Sequence, residues 1–278
     1  MKYIILSLAI IGLIAEGAIS REIELNSVSK KSIALSNSLI DHVKNDFLKS
    51  HGKKPIGKKY TIQQLLSGLG LSSEEQLEYD SDKNAIRFHG NWTSEHGVQY
   101  LDTTYFKKKA LDFLVSYASL PFHEFENLHI TGLKIERSAR ETVENGAIKT
   151  VSTYNSVGIT VGRTAFGLPV FNSYASIVYD LISETIVFLE LINWVEIPDK
   201  IPQGLAKWNP PVIENTISQR WINWKSDVND DIDVLEAVLG FELISNGLCV
   251  AVIHHGKFKN IAPDIVEPQA WIETLGLN

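Results

Sequence analysis

The most restrictive feature of the sequence is the stretch from Val157 to Ile197, where β-favouring residues are broken only by short turns. Val157, Ile159 and Val161 are apolar at every second position, which is the period of a strand that buries one face. Any antiparallel meander that packs one face on a core would show this pattern. The stretch therefore predicts a sheet, and its flanks must decide which kind.

Two further strands are expected within this stretch, over 170–180 and 185–195. Gly167-Leu168-Pro169 precedes the first of them, and proline suits a strand start or an edge because it has no backbone donor. Ser183-Glu184 is expected to form the turn between the two strands.

The segment 103–119 predicts an amphipathic helix that begins near Thr103 or Thr104, either of which can cap it. Its apolar residues recur at helical spacing and form one stripe: Phe106, Ala110, Phe113, Leu114 and Tyr117.

A long hairpin is predicted between this helix and the central stretch, from strands over 127–144 and 147–165. They are joined at Asn145-Gly146, the strongest two-residue hairpin signal, because both turn positions require positive φ. The order helix, strand, strand, strand, strand predicts an α+β fold in which one helix packs on a curved antiparallel sheet.

Two short runs then point to a family. Gly167-Leu168-Pro169-Val170 stands before a strand, and the small-aromatic-small run Ser173-Tyr174-Ala175 follows within it. With the helix and hairpin upstream, this arrangement resembles the PepSY and fungalysin/thermolysin-propeptide group of cystatin-like domains. The resemblance covers Thr103 to Ile197, and it implies a non-catalytic domain, often an inhibitor or chaperone of a secreted metallopeptidase.

The resemblance thus implies a secreted, non-enzymatic binding module whose partner is an extracellular peptidase or another protein. A sheet edge or the loop from Phe166 to Phe171 is the expected contact. The candidate loop residues are Phe166, Gly167, Leu168, Pro169, Val170 and Phe171. Two alternatives stay open: a protein that binds a small ligand or glycan on the concave sheet face, and an enzyme of unrecognised type.

No catalytic residue, metal site or cofactor is predicted. His123-Glu124 and His129 are too far apart for a zinc site, which needs two histidines one helical turn apart. The acidic run Asp227–Asp233 has calcium-loop spacing at its start but lacks the glycine and glutamate of an EF-hand, which leaves adventitious calcium open.

The chain is expected to divide at its composition changes. Residues 1–20 have the anatomy of a cleavable signal peptide, so the mature chain is expected to be secreted or periplasmic, without a membrane span. Residues 21–102 form an N-terminal helix-plus-hairpin segment, with the helix expected over Val28–Lys49, and 103–197 the central domain. The proline-rich stretch 198–211 is a linker. Residues 212–278 form a second helix-plus-hairpin segment, either a partial second copy of the unit or an extension that completes its sheet.

Charge and modification signals add little. The net charge is −7, with basic residues concentrated in 21–60 and acidic residues in 180–278. No recognised motif accompanies the lysines, so nucleic acid is not an expected partner. Cys249 is the only cysteine and is expected to be a buried apolar residue. Asn91-Trp92-Thr93 is a glycosylation sequon in a eukaryotic secretory path. Oligomeric state is not encoded in any of these patterns.

Overall fold

The structure is a computed structural model that describes residues 53–92, 97–144, 147–198, 232–244, 247–258 and 269–274, with Asn45 and Lys49. The predicted signal peptide, nearly all of the linker and the helix expected at the start of the segment 212–278 lie outside the described residues. Of the helix expected over Val28–Lys49, only Asn45 and Lys49 are described, and both are helical.

The described residues form two helices and a nine-stranded sheet. The helices are α1 (Ile62–Leu69) and α2 (Thr103–Tyr117), and a single 3-10 turn spans Glu74–Gln76. The strands are β1 (Leu77–Asp80), β2 (Ala85–His89), β3 (Glu126–Glu144), β4 (Ala147–Ala165), β5 (Leu168–Asp180), β6 (Ile186–Ile192), β7 (Ile232–Ile244), β8 (Gly247–Phe258) and β9 (Gln269–Thr274).

Six strands pair antiparallel in the order β1-β2-β6-β5-β4-β3. At the start of β5, Val170 also pairs with Phe241 of β7, and this contact is parallel. Strands β8 and β9 continue from β7 in antiparallel fashion. The fold is therefore α+β, with helices packed on a mixed, mostly antiparallel and unclosed sheet, as the fold-class prediction required.

Helix α2 crosses the sheet formed by β3 to β6, which is the packing that the sequence predicts. Phe106, Ala110, Phe113 and Leu114 are buried, whereas Tyr117 at the end of the stripe is 39% exposed. The apolar face of the sheet meets this helix with one residue set: Val157, Ile159, Val161, Ala175, Ile177, Tyr179, Leu189 and Leu191. Removing this apolar surface from water is the main source of stability for the central unit.

The N-cap of α2 is Asp102, so the prediction of Thr103 or Thr104 is wrong by one position. The Asp102 side chain accepts a hydrogen bond from the Tyr105 backbone N–H at 3.0 Å. A carboxylate satisfies this unpaired donor as well as a hydroxyl does, and it also interacts favourably with the helix dipole.

Helix α1 was not predicted, although its ends carry clear signals. Thr61 and Gln64 form a reciprocal capping box, and Gly70 ends the helix at φ +69°. Leu65 and Leu66 are buried against the same core as α2. The helix has only eight residues, which is too short for its apolar period to stand out.

Strand β6 ends at Ile192, three residues earlier than expected, because Asn193 adopts φ +44° and turns the chain away from the ladder. The hairpin predicted within residues 21–102 is confirmed as β1 and β2. Strand β9 was not predicted.

The predicted C-terminal hairpin is confirmed as β7 and β8, and β7 joins the central sheet. At this junction, the side chain of Asn172 on β5 forms two hydrogen bonds to the Leu243 backbone on β7. Its Oδ1 accepts the Leu243 backbone N–H at 2.7 Å, and its Nδ2 donates to the Leu243 carbonyl at 2.9 Å. Whether these strands are a partial second copy of the central unit stays a prediction.

Replacing Gly68 with alanine should destabilise the protein, although alanine is the better helix former. A Cβ at Gly68 would lie 2.4 Å from Tyr117 Cγ and 2.7 Å from its Cβ, where α1 meets α2. Displacing that ring should cost about 1–3 kcal/mol, against a gain in helix propensity of about 1 kcal/mol. We expect a lower urea midpoint for Gly68→Ala, and an unchanged or higher one for the exposed control Ser67→Ala. A midpoint above wild type for Gly68→Ala would contradict this contact.

Candidate functional site

The loop predicted to bind a partner is largely covered by the chain itself. Four of its side chains are buried, with exposed fractions of 4%, 6%, 3% and 6% for Phe166, Leu168, Val170 and Phe171. Those of Phe166, Leu168 and Val170 pack with Phe241, Leu243, Leu248 and Val250 of β7 and β8. Gly167 is exposed at φ +78°, and Pro169 is half-buried. Partner binding at this loop stays a prediction, and Gly167 and Pro169 are the positions a partner could reach.

A buried ion pair lies beside this loop. The Arg163 guanidinium donates to Glu126 Oε2 at 2.5 Å, and both side chains are completely buried. Arg163 Nη1 also donates to the Val195 carbonyl at 2.6 Å and to the Ser173 hydroxyl at 3.2 Å. Burial lowers the pKa of Arg163, and the charge of Glu126 opposes that shift. The guanidinium therefore joins β3, β4, β5 and the segment after β6 at one point.

Aromatic rings enclose the same guanidinium. Its central carbon lies 5.5 Å from the centroid of Phe122 and 5.7 Å from that of Trp194. Trp194 in turn donates from Nε1 to the Ala118 carbonyl at the end of α2, at 2.8 Å. Cation–π contacts of this kind strengthen when they are removed from water. The arrangement fastens α2 to the sheet.

The histidines singled out in the sequence do not meet. His123 Nε2 lies 3.1 Å from the Ile197 carbonyl, and its ring stacks on Phe125. His129 lies within β3, and Glu124 instead pairs with Lys53 at 2.6 Å. Across the part of the chain that the structure describes, no three His, Cys, Asp or Glu side chains are grouped to hold a metal.

The remaining candidates are only partly described. Only the end of the Asp227–Asp233 run, on β7, is within the described residues. Cys249 is half-buried, and burial together with Glu242 raises the pKa of its thiol.

Among the described strands, β3 is the longest one that lies at an edge of the sheet. Its 19 residues pair with β4, and they pair with no other strand within the described ranges. The ladder between β4 and β5 stops at Ser156 and Asp180. Residues 137–144 and 147–154 therefore continue as a two-stranded ribbon, which Val98 touches through one bridge to Tyr154.

The side chains of β3 alternate between the core and solvent in its middle part. Leu133 and Ile135 are half-buried against the α2 side, and Lys134 and Glu136 are exposed on the other face. Irregularities in the register after Ile130 and after Glu136 divide the β3–β4 ladder into three regular runs, of which Gly132–Glu136 is the middle one. Bulges and charges restrict uncontrolled pairing at sheet edges, and the two irregularities bound Gly132–Glu136 as a segment of five residues in the middle of this edge.

A cleft of about 490 Å³ lies on the α2 side of the sheet, between the start of α1 and the β1–β2 hairpin. Its lining residues are Lys59, Tyr60, Ile62, Tyr79, Asp80, Ser81, Asn84, Ala85, Ile86, Leu191, Trp194 and Val195. The volume lies within the usual range of ligand pockets, about 300–1,000 Å³. Binding of a small ligand or glycan on the concave sheet face stays a prediction.

Neither the ion pair nor the cleft was identified from the sequence, although Arg163 carried a signal. It continues the alternation of Val157, Ile159 and Val161, so a charged residue occupies an inward-facing position. A charge there requires a buried partner. Nothing in the sequence indicates that the partner is Glu126, 37 residues earlier.

The free energy of unfolding should decrease as the pH falls below 6.5, because His129 is buried in its neutral form. Its Nδ1 is buried without a hydrogen-bond partner, and burial lowers the pKa of the ring below 6.5. A lowered pKa in the folded state means that the unfolded chain takes up the proton first. The contribution of His129 is therefore complete above pH 6.5 and is lost as pH falls through the folded pKa.

The measurement is urea unfolding at several values from pH 7.5 to pH 5 for His129→Asn and for the exposed control His89→Asn. We expect His129→Asn to reduce the slope of stability against pH, whereas His89→Asn should retain it. Equal slopes in wild type and His129→Asn would contradict the assignment.

The described residues define an α+β protein with helices on an open sheet, in which β3 pairs with β4 alone among the described strands. No family model matches the sequence, and no curated protein matches it. Among solved structures, the chain is similar to the Bacillus megaterium YpeB C-terminal domain. That match has 13% identity and a TM-score of 0.30, and it covers 78% of this chain and 99% of that one. A TM-score this low does not establish a shared fold.

Proposed function

We propose that this protein is a non-catalytic binding module that holds an extended segment of a partner protein along the outer edge of β3. The observation that carries the proposal is the length of this edge, 19 residues paired on one side only among the described strands. Unpaired N–H and C=O groups on such an edge form a template for one more strand.

Both affinity and selectivity have a physical source at this edge. Backbone hydrogen bonds to Gly132–Glu136 would provide affinity without dependence on partner sequence. Selectivity would come from alternate side chains, because a partner strand places one face beside Leu133 and Ile135 and the other beside Lys134 and Glu136. An apolar residue on the first face and opposite charges on the second are the favourable match.

The partner class that we propose is a secreted peptidase, with the protein acting as its inhibitor or chaperone. Support comes from the resemblance carried by Gly167-Leu168-Pro169-Val170, together with the helix and hairpin before it. In this mode the edge of β3 would bind an extended segment of the peptidase. Gly167 lies in the turn between β4 and β5, away from this edge segment.

The test is inhibition of a thermolysin-like metallopeptidase by the purified protein, with wild type beside Lys134→Pro and Ile135→Pro. Adjacent residues of an edge strand point their N–H groups in opposite directions, so one substitution removes an outward donor and the other breaks the β3–β4 ladder. Thermal unfolding identifies the folded variant, and that variant is the informative one.

We expect wild type to slow the peptidase at micromolar concentration, and the folded proline variant to lose at least about tenfold in affinity. Amide hydrogen exchange in the mixture provides a second readout, since the outward amides of Gly132–Glu136 should become protected. Inhibition that is equal for the folded proline variant would exclude the β3 edge. Absence of any slowing at micromolar concentration would exclude the peptidase as partner.

A further inference from the structure

The middle segment of β3, Gly132–Glu136, has in its own sequence the side chains that its edge favours in a partner strand. Leu133 and Ile135 are half-buried on the α2 side of the sheet. Lys134 and Glu136 are exposed on the other face, and their charges are opposite. A second copy of the segment would therefore bring apolar side chains to the first face and unlike charges to the second.

Both charged side chains can take part in a contact across the edge. Among the described residues, no ion pair or hydrogen bond engages the Lys134 ammonium. Glu136 accepts the Ser156 hydroxyl through Oε2 at 3.0 Å, and Oε1 can accept a further donor. Unlike charges directly opposite each other on two strands stabilise the pair, whereas like charges destabilise it.

Symmetry restricts the register of a pair made of two such segments. Two copies that pair antiparallel in one continuous sheet are related by a two-fold axis normal to the sheet, so every side chain keeps its face. Directly opposite residues share a face, and the axis must therefore pass beside a residue instead of between two residues.

The charges then select one axis position within the segment. An axis at Lys134 would place two lysines opposite each other, and an axis at Glu136 would place two glutamates opposite each other. An axis at Ile135 places Lys134 of each copy opposite Glu136 of the other copy. The segment is therefore complementary to itself in this register alone among the three.

We propose that this protein forms a weak symmetric dimer in which two β3 edges pair antiparallel about Ile135. The sheet continues through both copies, with Ile135 beside its counterpart on the α2 side and two Lys134–Glu136 pairs on the other face. The contact is isologous, so it closes at two copies. The dimer uses the same edge as the proposed function, but it does not require a peptidase as partner.

The dimer is expected to be weak because the regular segment has only five residues. Such a contact buries well below the about 1,000 Å² of a stable interface. We expect a Kd on the order of 100 µM. At that affinity a dilute sample is largely monomer, so amide exchange along this edge slows only severalfold, and a partner strand with a longer match can displace the second copy.

The test is sedimentation velocity of the whole protein over concentrations that span this Kd. Wild type is compared with Lys134→Glu, Glu136→Lys and the double variant that exchanges the two charges, and thermal unfolding checks that each is folded. Each single variant places like charges opposite each other in both pairs, so we expect self-association to weaken at least about fivefold. The double variant restores the unlike pairs and should associate as wild type does.

A mixture of the two single variants provides the most specific readout. Lys134→Glu then has two acidic side chains at the edge and Glu136→Lys has two basic ones, so the two chains are complementary in both pairs. We expect the mixture to associate more strongly than either variant alone, and added salt should weaken this association. The matched control is Lys108→Glu on α2, an exposed site with the same charge change, and it should self-associate as wild type does.

A wild-type protein that stays monomeric at millimolar concentration would overturn the dimer. A double variant that fails to recover, or a mixture that associates no more strongly than its components, would overturn the pairing about Ile135. These outcomes do not depend on peptidase inhibition, so the dimer and the proposed function can fail separately.

Discussion

Replacing Arg163 with methionine is expected to lower the free energy of unfolding by about 3–5 kcal/mol, because it leaves the charge of Glu126 buried without its partner. The two side chains are completely buried and 2.5 Å apart, so water cannot replace the lost contact. Urea unfolding at pH 7 measures the loss, and the same experiment on Glu126→Leu should give a loss of similar size.

The double variant Arg163→Met with Glu126→Leu distinguishes an ion pair from simple packing. Removing both charges together removes the unpaired one, so we expect the double variant to recover much of the stability that either single change loses. Additive losses in the double variant would show that the two residues act independently, contrary to the contact described above.

Replacing Phe241 with alanine is the second large effect, with an expected loss of about 3–5 kcal/mol from the cavity that it leaves. Phe241 is completely buried on β7, and its ring meets that of Phe166 edge to face at 6.3 Å between centroids. The loss measures how firmly the β7–β8 hairpin is fastened to the start of β5.

The control for this variant is Val115→Ala on α2, where the side chain is 63% exposed and the change should stay within about 0.5 kcal/mol. Hydrogen exchange adds a local readout, since the backbone amides of Leu168 and Val170 should exchange faster in Phe241→Ala. A loss below about 1 kcal/mol, with unchanged exchange there, would mean that β7 does not cover this loop.

Local patterns were sufficient to predict the central unit. The strands β3 and β4 begin and end within one residue of their predicted bounds, because their alternation and the Asn145-Gly146 turn are encoded in neighbouring residues. Helix α2 was predicted for the same reason, with its cap misplaced by one residue. Strand β6 was overextended because the positive φ of Asn193 has no signal in the hydrophobic pattern.

The binding surfaces depend on long-range contacts, and those were not predictable. The loop from Phe166 to Phe171 has the composition of an exposed anchor, yet most of its side chains are buried because β7, some 70 residues later, pairs with β5. The cleft likewise needs α1, the β1–β2 hairpin and the segment after β6 to meet. These sites could not be predicted because the segments that form them are far apart in the sequence.

The central claim is that the outer edge of β3 is open in the free protein, and hydrogen exchange of its backbone amides by NMR tests this claim most directly. We predict that every second amide of Gly132–Glu136 exchanges as fast as an exposed loop, while the intervening amides, bonded to β4, are protected. Uniform protection along this segment would contradict the account, because the edge would then already be covered.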